Sequence, residues 1–400
     1  MSILPDTQFY VFHQMPYVGV PEAGLDSLWV DLPNRLFDPQ VGQRLFKRYI
    51  SELVLADKLG FDGLIINEHH ATAYSMLSAP CLIAAMLVAQ TQQAKVCVWG
   101  TPVTLEYPAR LAEAYATLDV VSGGRLEIAI PLGTPMEYWV NPVNPVTARE
   151  RQREATDLII RAWTQDRPFR HEGKFFSYKY VNVWPRPYQK PHPKVYFVGS
   201  GSPETVELAA ERGFGYAATF SPIKKQMAAN QRLRERAPLY GHVMQPDHFP
   251  LQAMVNVADS DEEAVADFEP HLKYYFGTLG RAGRFTEVPG YLSLEEYRKR
   301  NGRVTPASHG QFDWNEISTQ FRVVAGTAAT VARKLEAWAE EMGTNRIVLY
   351  PHIGDMPHWK VVRNLTMLAE DVIPMLRQRQ QAAALARPMT TAGSHERGAR

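Results

Sequence analysis

Short apolar runs rich in β-branched and aromatic residues alternate with longer stretches of helical period along this chain. Such alternation is typical of a parallel sheet whose strands are connected by helices. The apolar runs predict strands at residues 9–12, 64–66, 95–99, 126–130, 194–198, 251–257 and 346–350. The helical pattern predicts helices at residues 45–59, 80–89, 108–121, 148–163, 203–213, 261–268 and 328–342.

Seven or eight strand–helix units without an internal break predict one closed (β/α)8 TIM barrel over residues 1–380. An open, doubly wound sheet is the alternative fold. The Gly- and aromatic-rich stretch at about 274–321 is too long for an ordinary connection, so we interpret it as an insertion that covers a pocket. The apolar period is lost near the C-terminus, which predicts a flexible tail at 381–400.

The bulk composition excludes several classes of protein. The chain has 43 basic and 42 acidic residues and no polybasic run, so neither nucleic acid nor an anionic membrane is an expected partner. Cys81 and Cys97 are too few for a disulfide framework and fit a reducing compartment. No secretory signal and no membrane span is evident, which predicts a cytoplasmic protein.

A polar cluster follows the predicted strand at 64–66 and consists of Asn67, Glu68, His69 and His70. In a barrel, this is the carboxyl end of a strand, where catalytic groups lie. An imidazole titrates near neutral pH and can act as a base or as a hydrogen-bond donor. Two other interpretations are a hydrogen-bonded turn that only orders the loop, and a metal site, although adjacent ligands are an unusual spacing.

A second candidate follows the strand at 194–198, where Gly199, Ser200, Gly201 and Ser202 open a helix. Ser202 suits the N-cap position, and backbone N–H groups at a helix N-terminus suit a phosphate. The motif lacks the lysine of a P-loop, and a capped helix behind a tight turn is the alternative interpretation.

A third candidate follows the strand at 95–99, where Gly100, Thr101 and Pro102 form a turn. Glycine there permits the close approach of a flat ligand, and proline stiffens the backbone. Tyr138, which follows the next strand, can stack on a ring system or donate to it. Each of these features is also compatible with an ordinary turn or core residue.

These segments, in their order along the chain, resemble the bacterial luciferase-like family of flavin-dependent monooxygenases. The similar segments are residues 60–62 leading to Glu68-His69-His70, 108–113 with 117–119, 122–126, 195–213 and 324–376. Together they extend over most of residues 8–378.

The resemblance implies a (β/α)8 barrel with an insertion and a specific set of reactants. Reduced flavin mononucleotide (FMN) would come from a separate NAD(P)H-dependent flavin reductase, and dioxygen would oxygenate a small organic substrate. A homodimer is expected from the same resemblance. The aromatic content of two long loops, residues 14–42 and 274–321, favours an apolar or aromatic substrate.

The resemblance also assigns roles to residues. Glu68, His69 and His70 would lie beside the isoalloxazine ring, with His69 and His70 as catalytic residues. The turn Gly100-Thr101-Pro102 would support the ring, with Tyr138 as a further ring contact. The flavin phosphate would lie on Gly199, Ser200, Gly201 and Ser202.

Two departures from luciferase concern the phosphate. Luciferase carries an arginine there, whereas the corresponding residue in this chain is Leu132, so the cation must come from elsewhere or be replaced by the helix N-terminus. The Glu-Ser pair of luciferase is Gly199-Ser200 in this sequence. These changes favour a monooxygenase other than a light-emitting aldehyde oxidase.

Three alternatives remain open from the sequence. The first is a hydride-transfer oxidoreductase of the same superfamily that uses the deazaflavin F420. The second is a metal-dependent barrel hydrolase with Glu68, His69 and His70 as ligands. The third is a protein that binds flavin without catalysing a reaction.

Overall fold

The computed structural model describes most of the 400-residue chain. The described residues are 6–20, 25, 27–29, 32–219, 221–280, 288–291 and 313–385. Most of the predicted insertion, including 281–287 and 292–312, therefore lies outside the described residues, as does the predicted tail from residue 386 onward. Residues 381–385, the start of the predicted tail, instead form the end of the last helix. No helix in the described part of the chain is long and apolar enough to cross a membrane.

Nine parallel strands form one curled sheet, and a small antiparallel hairpin lies apart from it. The sheet strands are β1 (Gln8–His13), β2 (Gly63–Ile66), β3 (Lys95–Trp99), β4 (Leu126–Pro131), β7 (Lys194–Gly199), β8 (Gly215–Ala218), β9 (Leu251–Val257), β10 (Val323–Gly326) and β11 (Arg346–Tyr350). The hairpin comprises β5 (Phe169–Glu172) and β6 (Ser177–Val181). The strand order in the sheet is β10-β9-β11-β1-β2-β3-β4-β7-β8.

Helices alternate with the strands of the sheet, and the last two helices come after β11. They are α1 (Pro39–Lys58), α2 (Pro80–Gln90), α3 (Pro108–Val121), α4 (Glu137–Val140), α5 (Ala148–Thr164), α6 (Pro203–Arg212), α7 (Ile223–Arg236), α8 (Asp261–Tyr274), α9 (Trp314–Gln320), α10 (Ala328–Met342), α11 (His358–Met367) and α12 (Ile373–Leu385). Because every sheet strand runs in the same direction, the carboxyl ends of all nine lie on one edge.

A buried ion pair joins the amino ends of distant strands. Arg346, the first residue of β11, donates from Nη1 to Oε2 of Glu127 in β4 at 2.6 Å, and both residues are almost fully buried. The same Nη1 donates to the hydroxyl of Tyr196 in β7 at 2.5 Å. Tyr10 in β1 donates its hydroxyl to Glu127 at 3.3 Å. This network therefore joins four strands of the sheet inside its concave face.

The predicted bounds of β3, α3, β9, α10 and β11 are confirmed, and other elements differ for local reasons. Helix α1 begins at Pro39 rather than near residue 45, because the side chain of Asp38 accepts the backbone N–H of Gln40 at 2.7 Å and caps the helix there. Strands β8 and β10 were not predicted, because each has only four residues and contains glycine and alanine. Helices α4, α7, α9, α11 and α12 were also not predicted.

We predict that Arg346→Met lowers the free energy of unfolding by about 3–5 kcal/mol, because it leaves the Glu127 carboxylate buried without its cation. The double variant Arg346→Met/Glu127→Met should recover most of that loss, since no unpaired charge remains. Urea unfolding of both variants and the wild type measures this. As a control, Arg110→Met removes an exposed ion pair with Glu113 and should have little effect. Equal losses in the single and double variants would contradict the prediction.

Candidate active site

Four neighbouring strands, β2, β3, β4 and β7, bring the predicted site residues to one edge of the sheet. The polar cluster follows β2, the glycine turn follows β3, Tyr138 follows β4 and the predicted phosphate turn follows β7. Since neighbouring strands lie about 4.8 Å apart, the two outer segments are separated by about 14 Å. An elongated ligand with a ring at one end and an anion at the other can extend along this edge.

His69 is held by a carboxylate that the sequence analysis did not identify. Its Nδ1 lies 2.8 Å from Oε1 of Glu137, the first residue of α4. The other oxygen, Oε2, accepts the backbone N–H of Thr134 at 2.7 Å. The Glu137 side chain is 4 % exposed and that of His69 is 14 % exposed. The pair is thus a largely buried imidazole–carboxylate dyad at the carboxyl edge.

His70 forms a second dyad with Glu68. Its Nε2 lies 2.9 Å from Oε1 of Glu68, whose Oε2 accepts the hydroxyl of Thr101 at 2.6 Å. The hydrogen bond to Glu68 raises the pKa of His70 above its ordinary value of 6.5, and burial opposes this only in part. The charged imidazolium is therefore favoured at His70, and the strand ends of β2 and β3 are joined through Glu68.

Gly100 lies directly against the polar cluster. A Cβ atom at this position would be 2.7 Å from the backbone nitrogen of Glu68, a distance that real Cβ atoms do not tolerate. Two residues later, the carbonyl of Pro102 accepts the N–H of Leu105 at 2.8 Å and turns the chain. The glycine is thus required by the approach of the neighbouring strand end, and its predicted contact with a flat ligand remains a prediction.

Tyr138 is the second residue of α4, which follows β4, and lies near Leu132. Its hydroxyl lies 2.5 Å from the Leu132 carbonyl and 3.1 Å from the hydroxyl of Thr104. Its ring is buried in a small cluster with Ala148. The hydroxyl of Tyr138 is thus bonded within the protein. The predicted contact between Tyr138 and a ligand ring remains a prediction, and only the face of the tyrosine ring could make it.

The predicted phosphate turn has a cation beside it. Arg149, near the start of α5, places Nη1 3.4 Å from Oγ of Ser202 and 3.3 Å from Oγ1 of Thr205. Ser202 precedes α6 in the extended conformation of an N-cap, but its hydroxyl bonds to Thr205 and not to the helix backbone. The turn is fixed at Gly201, whose N–H donates to the Tyr216 hydroxyl at 2.7 Å.

Arg149 is a cation beside this turn that the sequence analysis did not identify. It lies about 50 residues before the turn, and only the packing of α5 against α6 brings it to Ser202. Gly199 and Ser200 complete the turn, with the Gly199 carbonyl accepting the Thr219 N–H at 3.0 Å. No sequence spacing could have indicated this pairing.

Two aromatic residues pack beside His69. Trp29 stacks on Tyr74 with ring centroids 3.8 Å apart, and both rings meet the His69 imidazole edge-on, at 5.3 and 5.2 Å. Tyr74 shares a hydrogen bond of 2.7 Å with the hydroxyl of Tyr275. The sequence places Trp29 in the long aromatic loop at 14–42, which is the one feature that could have indicated a role for it. Its contact with His69 could not be inferred from the sequence.

The cluster Glu68, His69 and His70 does not converge on one point, because the two imidazoles bond to different carboxylates. The group with metal-ligand spacing in the described part of the chain is instead His13, Glu52 and His352. There the backbone N–H of Met15 donates to His13 Nδ1 at 3.0 Å, so Nε2 of that ring carries the proton and donates to Glu52 at 2.9 Å. This favours a hydrogen-bonded network over a metal ion.

Comparisons with known proteins identify the family of this chain. A sequence profile of the luciferase-like monooxygenase family matches residues 29–346. The chain belongs to this family. The resemblance inferred from the sequence is therefore confirmed.

Several relatives of this luciferase-like chain have assigned activities. The oxygenase component of a flavin-dependent trigonelline monooxygenase from Acinetobacter baylyi is 28 % identical, with 87 % of this chain and 94 % of the relative aligned. The fold resembles that of the oxygenating constituent of 3,6-diketocamphane monooxygenase from Pseudomonas putida, determined with FMN, at a TM-score of 0.68, 20 % identity and coverage of 94 % and 99 %. An F420-dependent secondary alcohol dehydrogenase matches at a TM-score of 0.65, 18 % identity and coverage of 93 % and 99 %. Homologues thus include flavin-dependent monooxygenases, and the fold is shared with a deazaflavin enzyme.

We predict that the stabilising effect of His70 depends on pH in a defined direction. Because folding raises the pKa of His70, its contribution to the free energy of unfolding is complete below about pH 6.5 and is lost as the pH rises through the higher folded value. Urea unfolding of the wild type and His70→Gln from pH 5.5 to 9 should therefore show a difference that shrinks with rising pH.

The control is Glu68→Gln, which removes the carboxylate that raises the pKa. In that background, the effect of His70→Gln should vary much less with pH. A difference between the wild type and His70→Gln that stays constant over the range would contradict the assigned shift.

Proposed function

We propose that this protein is the oxygenase of a two-component system. It would use reduced FMN from a separate NAD(P)H-dependent flavin reductase, together with dioxygen, to oxygenate a small organic substrate. Membership of the family and the relative named as an oxygenase component support the proposal. The single observation that carries the proposal is the arrangement of the carboxyl edge of the sheet. The N-terminus of α6 lies with Arg149 at one end of this edge, and the two histidine–carboxylate dyads lie at the other.

The residues at the phosphate end fit FMN. The first turn of α6 has no side-chain cap, so its backbone N–H groups are open to an anion. Arg149 and the hydroxyls of Ser202 and Thr205 lie beside these groups within hydrogen-bonding distance of one another. A phosphate on Gly199, Ser200, Gly201 and Ser202 would therefore be stabilised by the cation Arg149, by two hydroxyl groups and by the dipole of α6.

The residues at the other end fit a ring with polar atoms. The buried Nε1 of Trp99, the last residue of β3, and the buried Oγ1 of Thr134 have no hydrogen-bond partner among the described residues. Unpaired buried donors are costly, so a ligand that accepts from them would relieve the cost. Glu68, Thr101 and Pro102 would border the ring on the β2 and β3 side, with Tyr138 on the β4 side.

Reduced FMN, when bound, supplies the electrons with which dioxygen is activated. The protein's part is to bind and orient the ring, exclude water and move protons. Trp29 and Tyr74 form an apolar wall beside His69, which limits the access of water to its imidazole. We propose His69 as the group that accepts or returns a proton and His70 as a charged neighbour that fixes Glu68.

We further propose the barrel closure, pocket cover and cellular environment that are expected from the luciferase-like resemblance and the composition. The curled sheet would close into a (β/α)8 barrel, which is supported by the hydrogen bond from Gln252 in β9 to Thr219, directly after β8, at 3.3 Å. The segment at about 274–321 would cover the pocket. The two free thiols, Cys81 and Cys97, support a reducing cytoplasmic environment.

The F420-dependent alternative shares the fold of this chain, so cofactor binding must separate the two. The cofactor-free protein should be titrated anaerobically with reduced FMN and, in parallel, with reduced F420. Binding of reduced FMN followed by substrate-dependent oxygen uptake would support the monooxygenase. Binding of F420 alone, with anaerobic turnover, would reject it.

We predict that Arg149→Ala weakens the binding of FMN by about 10-fold to 100-fold, because a charge-assisted contact of about 1.5–3 kcal/mol is lost. Riboflavin lacks the phosphate, so its affinity should not change. Arg153→Ala is the matched control, since Arg153 lies one turn further along α5 and pairs with Glu211. An equal loss for FMN and riboflavin would place the phosphate elsewhere.

We also propose that the protein forms a homodimer through α2. This helix is apolar on all sides except for Gln90 at its end, and Leu82 and Met86 are 68 % and 46 % exposed. A helix that is apolar all round is normally buried. Each copy of the protein exposes the same apolar face of α2. A two-fold contact between two α2 helices would therefore cover this face on both copies.

We predict that Leu82→Glu/Met86→Glu converts this dimer into a monomer, because four carboxylates would meet across the two-fold axis. Light scattering after size-exclusion chromatography measures the mass. Leu239→Glu, at an equally exposed position outside α2, is the control and should leave the mass unchanged. A wild-type monomer at micromolar concentration, or a double variant that remains dimeric, would reject the proposed interface.

A further inference from the structure

Each carboxylate oxygen of Glu137 has one hydrogen-bond partner: Oε1 lies against Nδ1 of His69, and Oε2 accepts the backbone N–H of Thr134. We propose that Glu137 is a positioning residue that fixes His69 in its Nδ1–H tautomer, so that the Nε2 lone pair is available to the reaction. The assignment of a reaction to this histidine rests on the proposed function, whereas the tautomer itself is a property of the protein alone.

The hydrogen-bond donors and acceptors around Glu137 determine which nitrogen of His69 carries the proton. The N–H of Thr134 can only donate, so Oε2 of Glu137 must accept. An ionised carboxylate accepts on both oxygens, and Oε1 lies 2.8 Å from Nδ1 of His69. Nδ1 therefore carries the proton in this pair. The other nitrogen, Nε2, makes no hydrogen bond with any described residue and is the acceptor.

The turn before α4 is shaped around this carboxylate. Gly133 has a φ of +95°, and a Cβ atom there would lie 3.3 Å from Oε2 of Glu137 and 3.1 Å from the ring of Tyr138. A side chain at this position would be strained in its backbone and would press on the carboxylate. The backbone N–H of Glu137 donates to the Thr134 carbonyl at 3.1 Å, which closes the turn. Glycine thus lets the loop after β4 deliver Glu137 to the strand end of β2.

The neighbouring dyad has the opposite orientation. His70 bonds to Glu68 through Nε2, whereas His69 bonds to Glu137 through Nδ1. Two consecutive imidazoles therefore present different nitrogens, and each is fixed by its own carboxylate. When His69 Nε2 accepts a proton from a substrate or water, the resulting imidazolium remains paired with Glu137, and the same proton is returned from Nε2 later.

The decisive variant is Glu137→Gln, because an amide cannot satisfy both donors. If its oxygen stays on the Thr134 N–H, its NH₂ group faces His69 Nδ1 and forces that nitrogen to become the acceptor. His69 would then carry its proton on Nε2, and the lone pair would no longer be available. We expect the rate of coupled turnover to fall by about 100-fold, within the range that general acid–base catalysis contributes, with unchanged affinity for FMN.

The tautomer can be measured without any cofactor. Nitrogen-15 NMR of histidine-labelled protein, with the His69 signal assigned by its loss in His69→Gln, should show the Nδ1–H form in the wild type and the Nε2–H form in Glu137→Gln. Glu68→Gln is the matched control and should shift the signal of His70 while leaving the tautomer of His69 unchanged.

The outcomes separate this proposal from the proposed function. An Nε2–H tautomer of His69 in the wild type, or an unchanged Nδ1–H form in Glu137→Gln, overturns the role of Glu137. The wild-type measurement decides the question even if the variant does not fold. Failure to bind FMN with the expected tautomers present would instead reject the proposed cofactor and leave the positioning role intact.

Discussion

The ion pair between Arg346 and Glu127 is the constraint on which the rest of the structure depends. Two charges cannot be buried inside a curled sheet unless their partners are held in place, and these partners come from β1, β4, β7 and β11. The pair therefore fixes how those strands lie relative to one another at their amino ends. The carboxyl ends, at the opposite edge, are consequently free to carry other polar groups.

The carboxyl edge has a different physical character. Its polar groups are arranged as short, local pairs: His69 with Glu137, His70 with Glu68, and Arg149 with Ser202. The first and third pairs join separate segments of the chain, and Glu68 also accepts from Thr101 after β3, so that the loops hold one another. At Gly100, the ends of β2 and β3 lie so close together that a Cβ atom would clash with the backbone nitrogen of Glu68. The edge is thus ordered by contacts between loops and not by a single core.

Much of the fold and part of the site could be predicted from the sequence. Periodicity located β3, α3, β9, α10 and β11 correctly, because their apolar runs are long and bounded by turn residues. It missed β8 and β10, whose small residues become strands only through pairing with neighbours. His69 and His70 were identifiable as a polar cluster after a buried strand. Glu137 and Arg149 were not, since their partners are 68 and 53 residues away and meet them only in the fold.

The position of Arg149 has a consequence for how a cofactor would be exchanged. Its side chain is 40 % exposed and also lies 3.5 Å from the carboxylate of Glu204, so it is open to solvent ions and shared with a competing anion. Attraction at such a site is screened by salt, with a Debye length of about 8 Å at physiological ionic strength. A phosphate held there would be retained loosely. Under the proposed function, loose retention would suit a flavin that arrives reduced, leaves oxidised and diffuses between two proteins in every cycle.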